Sequence, residues 1–307
     1  MGSGEGVDTT STKQPSSGKG ASNPAADPEQ LAAGDGPPSA PDKPLSPFLA
    51  SSKAAIEAVG SWTISGVEHI GQFSLMVFET LLMALRPPYR IGILFQSMED
   101  VGVGALFIVL LTGLFTGMVM SLQGVLAFAI FNAEALVGGS TAVALIRELG
   151  PVLTGLMVSG RSGSSMATTL GTMRVSEQID AMEVMAVNSL QYLVAPRIVA
   201  TVMMMPLLTV LFDFVGMAGA YFVAVKVMGV DGGIFLDKIK GFVEPMDIIK
   251  GAIKGGVFGM SISTLSCYRG YFAAGGAKGV GEATTSAVVM SSISILVLNY
   301  FLDLVLW

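Results

Sequence analysis

Apolar residues run through this chain in long blocks, and the polar positions between them are few and grouped. Val101 to Ala133 holds no charged residue. A bilayer core takes about twenty apolar residues per helix, so this run predicts one long or tilted spanning helix with a loop at its far end. A second span is predicted over about Ser140 to Thr172, interrupted by Arg147, Glu148 and Arg161. A third covers about Ile198 to Val225 with Asp213 inside it, a fourth about Ile248 to Tyr268, and a fifth Ala283 to Leu302. The expected fold class is an all-α integral membrane protein with five transmembrane helices.

Ahead of the first span the pattern changes twice. From Ser52 to Gly71, Ile56, Val59, Trp62, Thr63, Val67 and Ile70 recur at roughly helical spacing, with Lys53, Glu57 and Glu68 off that stripe. This predicts an amphipathic interfacial helix with Trp62 at headgroup depth. Residues 73–85 are apolar except for Glu79 and too few to span, which predicts a shallow elbow helix ended by the prolines of "RPPYR". Residues 1–47 carry eight of the 14 prolines and almost no large apolar side chains. Such a segment cannot bury enough surface to fold, so a disordered tail is expected there, without the apolar run of a secretory signal. The division expected is a tail at 1–47, interfacial and elbow helices at 48–90, and a transmembrane domain at 91–307.

Small residues recur every fourth position on three spans: Gly113, Gly117 and Ser121; Gly155, Ser159, Gly163, Ala167 and Gly171; Gly251, Gly255, Gly259 and Ser263. In lipid such series let helix backbones approach closely, so they predict a tight bundle or a dimer seam.

Composition supports the membrane reading and narrows the chemistry. The chain is 51% hydrophobic and 13% charged, where a soluble domain carries about 25% charged residues. Its mean hydropathy is +0.66. The net charge of −6 gives no basic balance for nucleic acid. One cysteine, Cys267, and one histidine, His69, exclude an internal disulfide, a cysteine metal site and any site built from several histidines. Nineteen methionines are ordinary apolar filling or a flexible lining for acyl chains. No G-x-x-x-x-G-K-[ST] occurs, and neither a catalytic group nor a metal site is expected. Basic residues divide evenly between the two faces, so the charge count alone leaves orientation open. With a cytoplasmic tail, the lysines of the 226–254 loop fall outside or near the outer face, and the loop could hold a small extracytoplasmic helix.

Between the second and third spans stands "RVSEQIDAMEVM". Ser176 is the expected N-cap, with Glu177 and Asp180 in the first turn. Ser176, Asp180 and Glu183 share one face, and Ile179, Met182 and Ala186 another. This predicts a short amphipathic helix outside the membrane at about 174–187. It is either a solvated loop helix or a knob that docks in a partner's groove.

Residues 147–197, "RELGPVLTGLMVSGRSGSSMATTLGTMRVSEQIDAMEVMAVNSLQYLVAPR", strongly resemble the MlaE/YrbE family, as do "GLFTGMVMSLQG" at 113–124 and "MMMPLLTVLFDFVG" at 203–216. These are permease subunits of ABC-type lipid transporters that work with MCE proteins. The resemblance implies that the middle helix couples to a cytoplasmic ATPase through Arg174, Glu177, Gln178, Asp180 and Glu183. It implies a bacterial inner-membrane, multi-pass protein with its N-terminus in the cytoplasm, paired with a second copy of itself. Two ATPase subunits that bind ATP and a ring of MCE proteins complete the assembly; no cofactor is expected in this chain.

Ionisable groups at membrane depth are costly and tend to mark pathways. Arg147, Glu148 and Asp213 are therefore pathway candidates. A lone amide, Gln123, in an otherwise smooth apolar run makes Met118, Leu122, Gln123 and Leu126 candidates for a phospholipid cavity. Two rival functions stand beside lipid export or import: a secondary transporter or channel using Asp213, Arg147 and Glu148 as an ion path, and a non-transporting membrane scaffold.

Overall fold

A computed structural model describes residues 71–80, 82 and 91–306. The tail at 1–47, nearly all of the interfacial helix and the "RPPYR" segment lie outside the described residues. Those described are helical or in short connections, and no strand occurs among them. We label the helices α1 (71–80), α2 (Ile91–Ala129), α3 (Glu134–Val175), α4 (Gln178–Val184), α5 (Leu190–Val227), α6 (Gly232–Phe242), α7 (Pro245–Tyr271) and α8 (Gly276–Leu306).

Each of the five long helices outruns the span that hydropathy marks. α2 begins at Ile91, ten positions before the last charge at Asp100 would allow, because a helix continues as long as its backbone is paired. α2, α3, α5 and α8 are long and apolar enough to cross a membrane. α7 is more polar, since it carries Asp247, Lys250, Lys254 and Arg269. Its 27 residues still reach about 40 Å at 1.5 Å per residue. Packed among α3, α5 and α8, it buries Gly251, Gly255, Phe258, Gly259 and Ile262. A helix sheathed in protein does not need lipid-compatible side chains.

The small-residue series serve this internal packing. A Cβ at Gly117 of α2 would lie 1.8 Å from the carbonyl oxygen of Gly216 on α5. A Cβ at Gly259 of α7 would come within 2.8 Å of the Met205 side chain and 2.9 Å of the Thr201 carbonyl oxygen on α5, and one at Gly163 of α3 within 2.9 Å of the Ser266 hydroxyl on α7. The three series are therefore seams within one chain rather than a seam between copies. The core they enclose is built on Leu145, Leu170, Met205, Phe212, Phe258, Ile262 and Ile295. Cys267 is buried beside it, as a small apolar residue would be.

The 226–254 loop contains the short helix α6. Asp231 caps it by accepting a hydrogen bond from the Ile234 amide at 2.9 Å, and Phe235 inserts against Val125, Val137 and Ala220. Consecutive helices alternate in direction. The start of α2, the end of α3, α4, the start of α5 and the end of α7 thus gather at one end, and α6 lies at the other.

Candidate functional site

α3 is not one regular helix. Wider, π-type turns interrupt it at Leu145–Leu149 and Ser159–Gly163. These hold Arg147, Glu148 and Arg161, the three charges that interrupt the predicted span. Such turns leave backbone groups unpaired and are common at functional sites.

At the first of these turns a polar network centred on the buried Lys254 and Asp247 joins α3, α7 and α8. Arg147 donates to Asp247 at 3.0 Å. Lys254 has no solvent exposure. Its ammonium lies 3.5 Å from Glu148 and pairs with Asp303. Asn299 donates to both carboxylates, at 3.1 Å to Glu148 and 3.1 Å to Asp303. Lys254 also donates to the Arg147 carbonyl at 3.0 Å. Pro151 has no N–H to return to that carbonyl four positions back, and the lysine supplies the missing donor.

The network corrects two sequence assignments. Lys254 and Asp247 belong to α7 rather than to the 226–254 loop, and both are buried. A charge count pushes lysines outward, but Lys254 sits between Gly251 and Gly255 in the small-residue series. That position was the signal that it faces the packed side. Arg147 and Glu148 do not pair with each other: Arg147 meets Asp247 on α7, and Glu148 meets Lys254 on α7 and Asn299 on α8.

Asp213 stands apart from the network. It is buried on α5 with its Oδ1 unpartnered, and a Cβ at Gly150 would fall 2.0 Å from that oxygen. Among the described residues no hydrogen bond links it to Arg147 or Glu148, so the three do not form a bonded ion path. Leu122, Gln123 and Leu126 are exposed on the outer side of α2, with Met118 half-buried.

At the opposite end α4 is shorter than expected, Gln178–Val184. Ser176 does not cap it: its hydroxyl donates to the Thr172 carbonyl at 2.7 Å and closes α3 instead. Glu177 takes the cap position in left-handed backbone with φ 58°, and Ala186 leaves the helix at φ 57°. Two non-glycine residues in that region mark sharp, costly corners on both sides of the helix. Ala186 consequently leaves the predicted apolar face and is exposed, while Ile179 is fully buried and Met182 packs on the core.

The polar residues of α4 divide by what they touch. Arg174 and Asp180 form an ion pair with each other. Glu183 accepts from the Tyr271 hydroxyl at 2.9 Å, and that hydroxyl lies 2.8 Å from Ser189. These contacts brace α4 against α3, α5 and the end of α7. Glu177 and Gln178 stay exposed beside Val184 and Met185, which are 88% and 66% exposed. The outward face is thus two polar side chains and two large apolar ones on a rigidly mounted helix.

A family model described as Permease MlaE matches residues 94–305. A probable ABC transporter permease protein of Rickettsia conorii is 42% identical over 245 residues, 80% of this chain and 95% of the relative. The intermembrane phospholipid transport system permease protein MlaE of Haemophilus influenzae is 36% identical over 253 residues, 82% of this chain and 97% of that protein. The chloroplast protein TRIGALACTOSYLDIACYLGLYCEROL 1 of Arabidopsis thaliana is 42% identical over 208 residues, 68% of this chain and 59% of that protein.

Proposed function

This chain belongs to the MlaE permease family and is the multi-pass permease subunit of a lipid transport system, and we propose that its lipid is a phospholipid moved by the strokes of a separate ABC ATPase. Its seat is the bacterial inner membrane, with the N-terminus and α4 on the cytoplasmic side. A second copy of the chain pairs with it, and an MCE-domain assembly receives or delivers the lipid on the far side. ATP binds in the ATPase subunits, and the chain itself catalyses no reaction.

The observation that carries this reading is the exposed face of α4. Val184 and Met185 are costly to leave in water, and an isolated loop helix has no use for them. A cleft in a cytoplasmic partner would bury both and meet Glu177 and Gln178 with polar groups. Arg174, Asp180 and Glu183 serve the same coupling by holding the helix rigid, so that a push on it reaches α3, α5 and α7 together. The exposed run Leu122, Gln123 and Leu126, with Met118, suits a cavity wall completed by the second copy. Arg147, Glu148 and Asp213 flank that pathway from inside the bundle.

Reconstitution tests this. The chain, its ATPase and its MCE partner in proteoliposomes should transfer a fluorescent phospholipid to acceptor vesicles only when ATP is present. Transfer by this chain alone, without ATPase, would overturn the reading in favour of a self-sufficient transporter.

A further inference from the structure

A cavity of about 220 Å³ opens at the α4 end of the bundle, between the start of α2, the second half of α3 and the start of α5. One water occupies roughly 30 Å³ in the liquid, so the space admits a larger polar group. Its walls carry charge of both signs. Arg197 of α5 and Asp100 of α2 both line it, yet no ion pair joins them among the described residues. Ile93, Val101, Met166 and Leu193 supply apolar wall beside them.

Ser162 points to a ligand. It is 3% exposed, lines the cavity, and its hydroxyl has no hydrogen-bond partner among the described residues. Further along α3, Ser164 donates to the Gly160 carbonyl and Thr168 to the Ser164 carbonyl, whereas Ser159 in the same turn shares the lack of a partner among the described residues but does not line the cavity. A buried hydroxyl left unpaired costs about 1–3 kcal/mol, and here it adjoins open space. Two π-type turns frame that space. Ser162 lies in the turn at Ser159–Gly163, and Leu193 in the one at Leu190–Val194, whose Leu193 carbonyl accepts from Arg197 at 2.8 Å. Among the described residues one guanidinium nitrogen is engaged there, which leaves donors in a planar fork suited to phosphate.

We propose that this cavity binds the headgroup of a phospholipid bearing both phosphate and ammonium, a second lipid site at the cytoplasmic end of the chain. Arg197 with the Ser162 and Ser165 hydroxyls takes the phosphate, and Asp100 takes the ammonium. The depth fits: Glu99, Asp100, Arg161 and Arg197 all lie toward this end, where charged side chains meet headgroups. The site adjoins α4 through Ser189 and the start of α5, so a lipid seated there shares a wall with the coupling helix. This inference rests on the phospholipid reading above and adds a place of entry or release to it.

The test is photolabelling of the reconstituted complex in phosphatidylglycerol vesicles doped with a phosphatidylethanolamine that carries a diazirine beside the glycerol. Labelling should map to peptides spanning 162–169 and 192–197. Arg197→Gln should lower it about tenfold, the worth of a charge-assisted hydrogen bond, and Arg197→Lys should lower it less. Asp100→Asn, an exposed substitution that leaves the fold intact, should lower labelling by phosphatidylethanolamine but not by a phosphatidylglycerol analogue. Equal labelling by both analogues in the unaltered protein would overturn the headgroup assignment. Loss of labelling on adding inorganic phosphate alone would make the ligand a free anion and overturn the lipid. No labelling of these peptides while ATP-driven transfer proceeds would sink this site and leave the transport function standing. Absence of both would sink the two together.

Discussion

Lys254 shows how a single charge is tolerated inside an oily bundle. Its ammonium has three acceptors, from Glu148, Asp303 and the Arg147 carbonyl. Remove it, and two carboxylates bridged only by Asn299 are left together with a carbonyl that Pro151 cannot serve. Breaking a buried pair by deleting one partner costs about 3–5 kcal/mol. Lys254→Met should therefore lower the thermal unfolding midpoint of the purified protein markedly. The double change Lys254→Met with Asp303→Leu should recover part of the loss, because it removes a stranded charge as well. If Lys254→Met melts like the unaltered protein, the network is not holding α3, α7 and α8 together. The chain itself signalled that Lys254 faces the packed side, through its place in the small-residue series, but not which groups it meets there. Hydropathy treats a lysine as a reason to end a span, and only the fold brings residue 254 to the carbonyl of residue 147.

Among elements, the seam between α2 and α5 depends on the lack of a side chain at one position. Gly117→Ala would drive a methyl group into the Gly216 backbone, which has no flexible end to move aside. Overpacking of this kind typically costs about 1–3 kcal/mol, and more where only backbone can yield. Gly92, near the start of the same helix, has nothing within 4 Å of such a methyl. Gly92→Ala should be neutral or slightly stabilising, since alanine favours helix. Comparing the two melting midpoints checks whether the seam is as tight as drawn. The four-residue spacing that identifies Gly117 was plain in the sequence, as were the long spans and α4 itself. What spacing could not say is which helix each seam meets, since period alone carries no partner. The ends of α4 were misjudged for a related reason. Ser176 has the chemistry of an N-cap, but its hydroxyl is taken by the carbonyl at Thr172, and the turn is made by left-handed Glu177.

For the whole molecule, the question is which α4 residues speak to the ATPase and which merely hold the helix in place. Glu177 is exposed and makes no ion pair among the described residues, whereas Asp180 is committed to Arg174. Glu177→Arg should thus leave the melting midpoint unchanged while abolishing ATPase co-purification or ATP-driven lipid transfer. Asp180→Lys should impair both stability and coupling, since it sets two cations face to face. The exchange Arg174→Asp with Asp180→Arg restores the pair with its polarity reversed, so it should return stability. If it also returns transfer, Arg174 and Asp180 act by bracing; if stability returns without transfer, their charges meet the partner directly. A Glu177→Arg protein that still binds the ATPase and moves lipid would show that the drive enters elsewhere on the chain. The exposed Val184 and Met185 would then need another occupant.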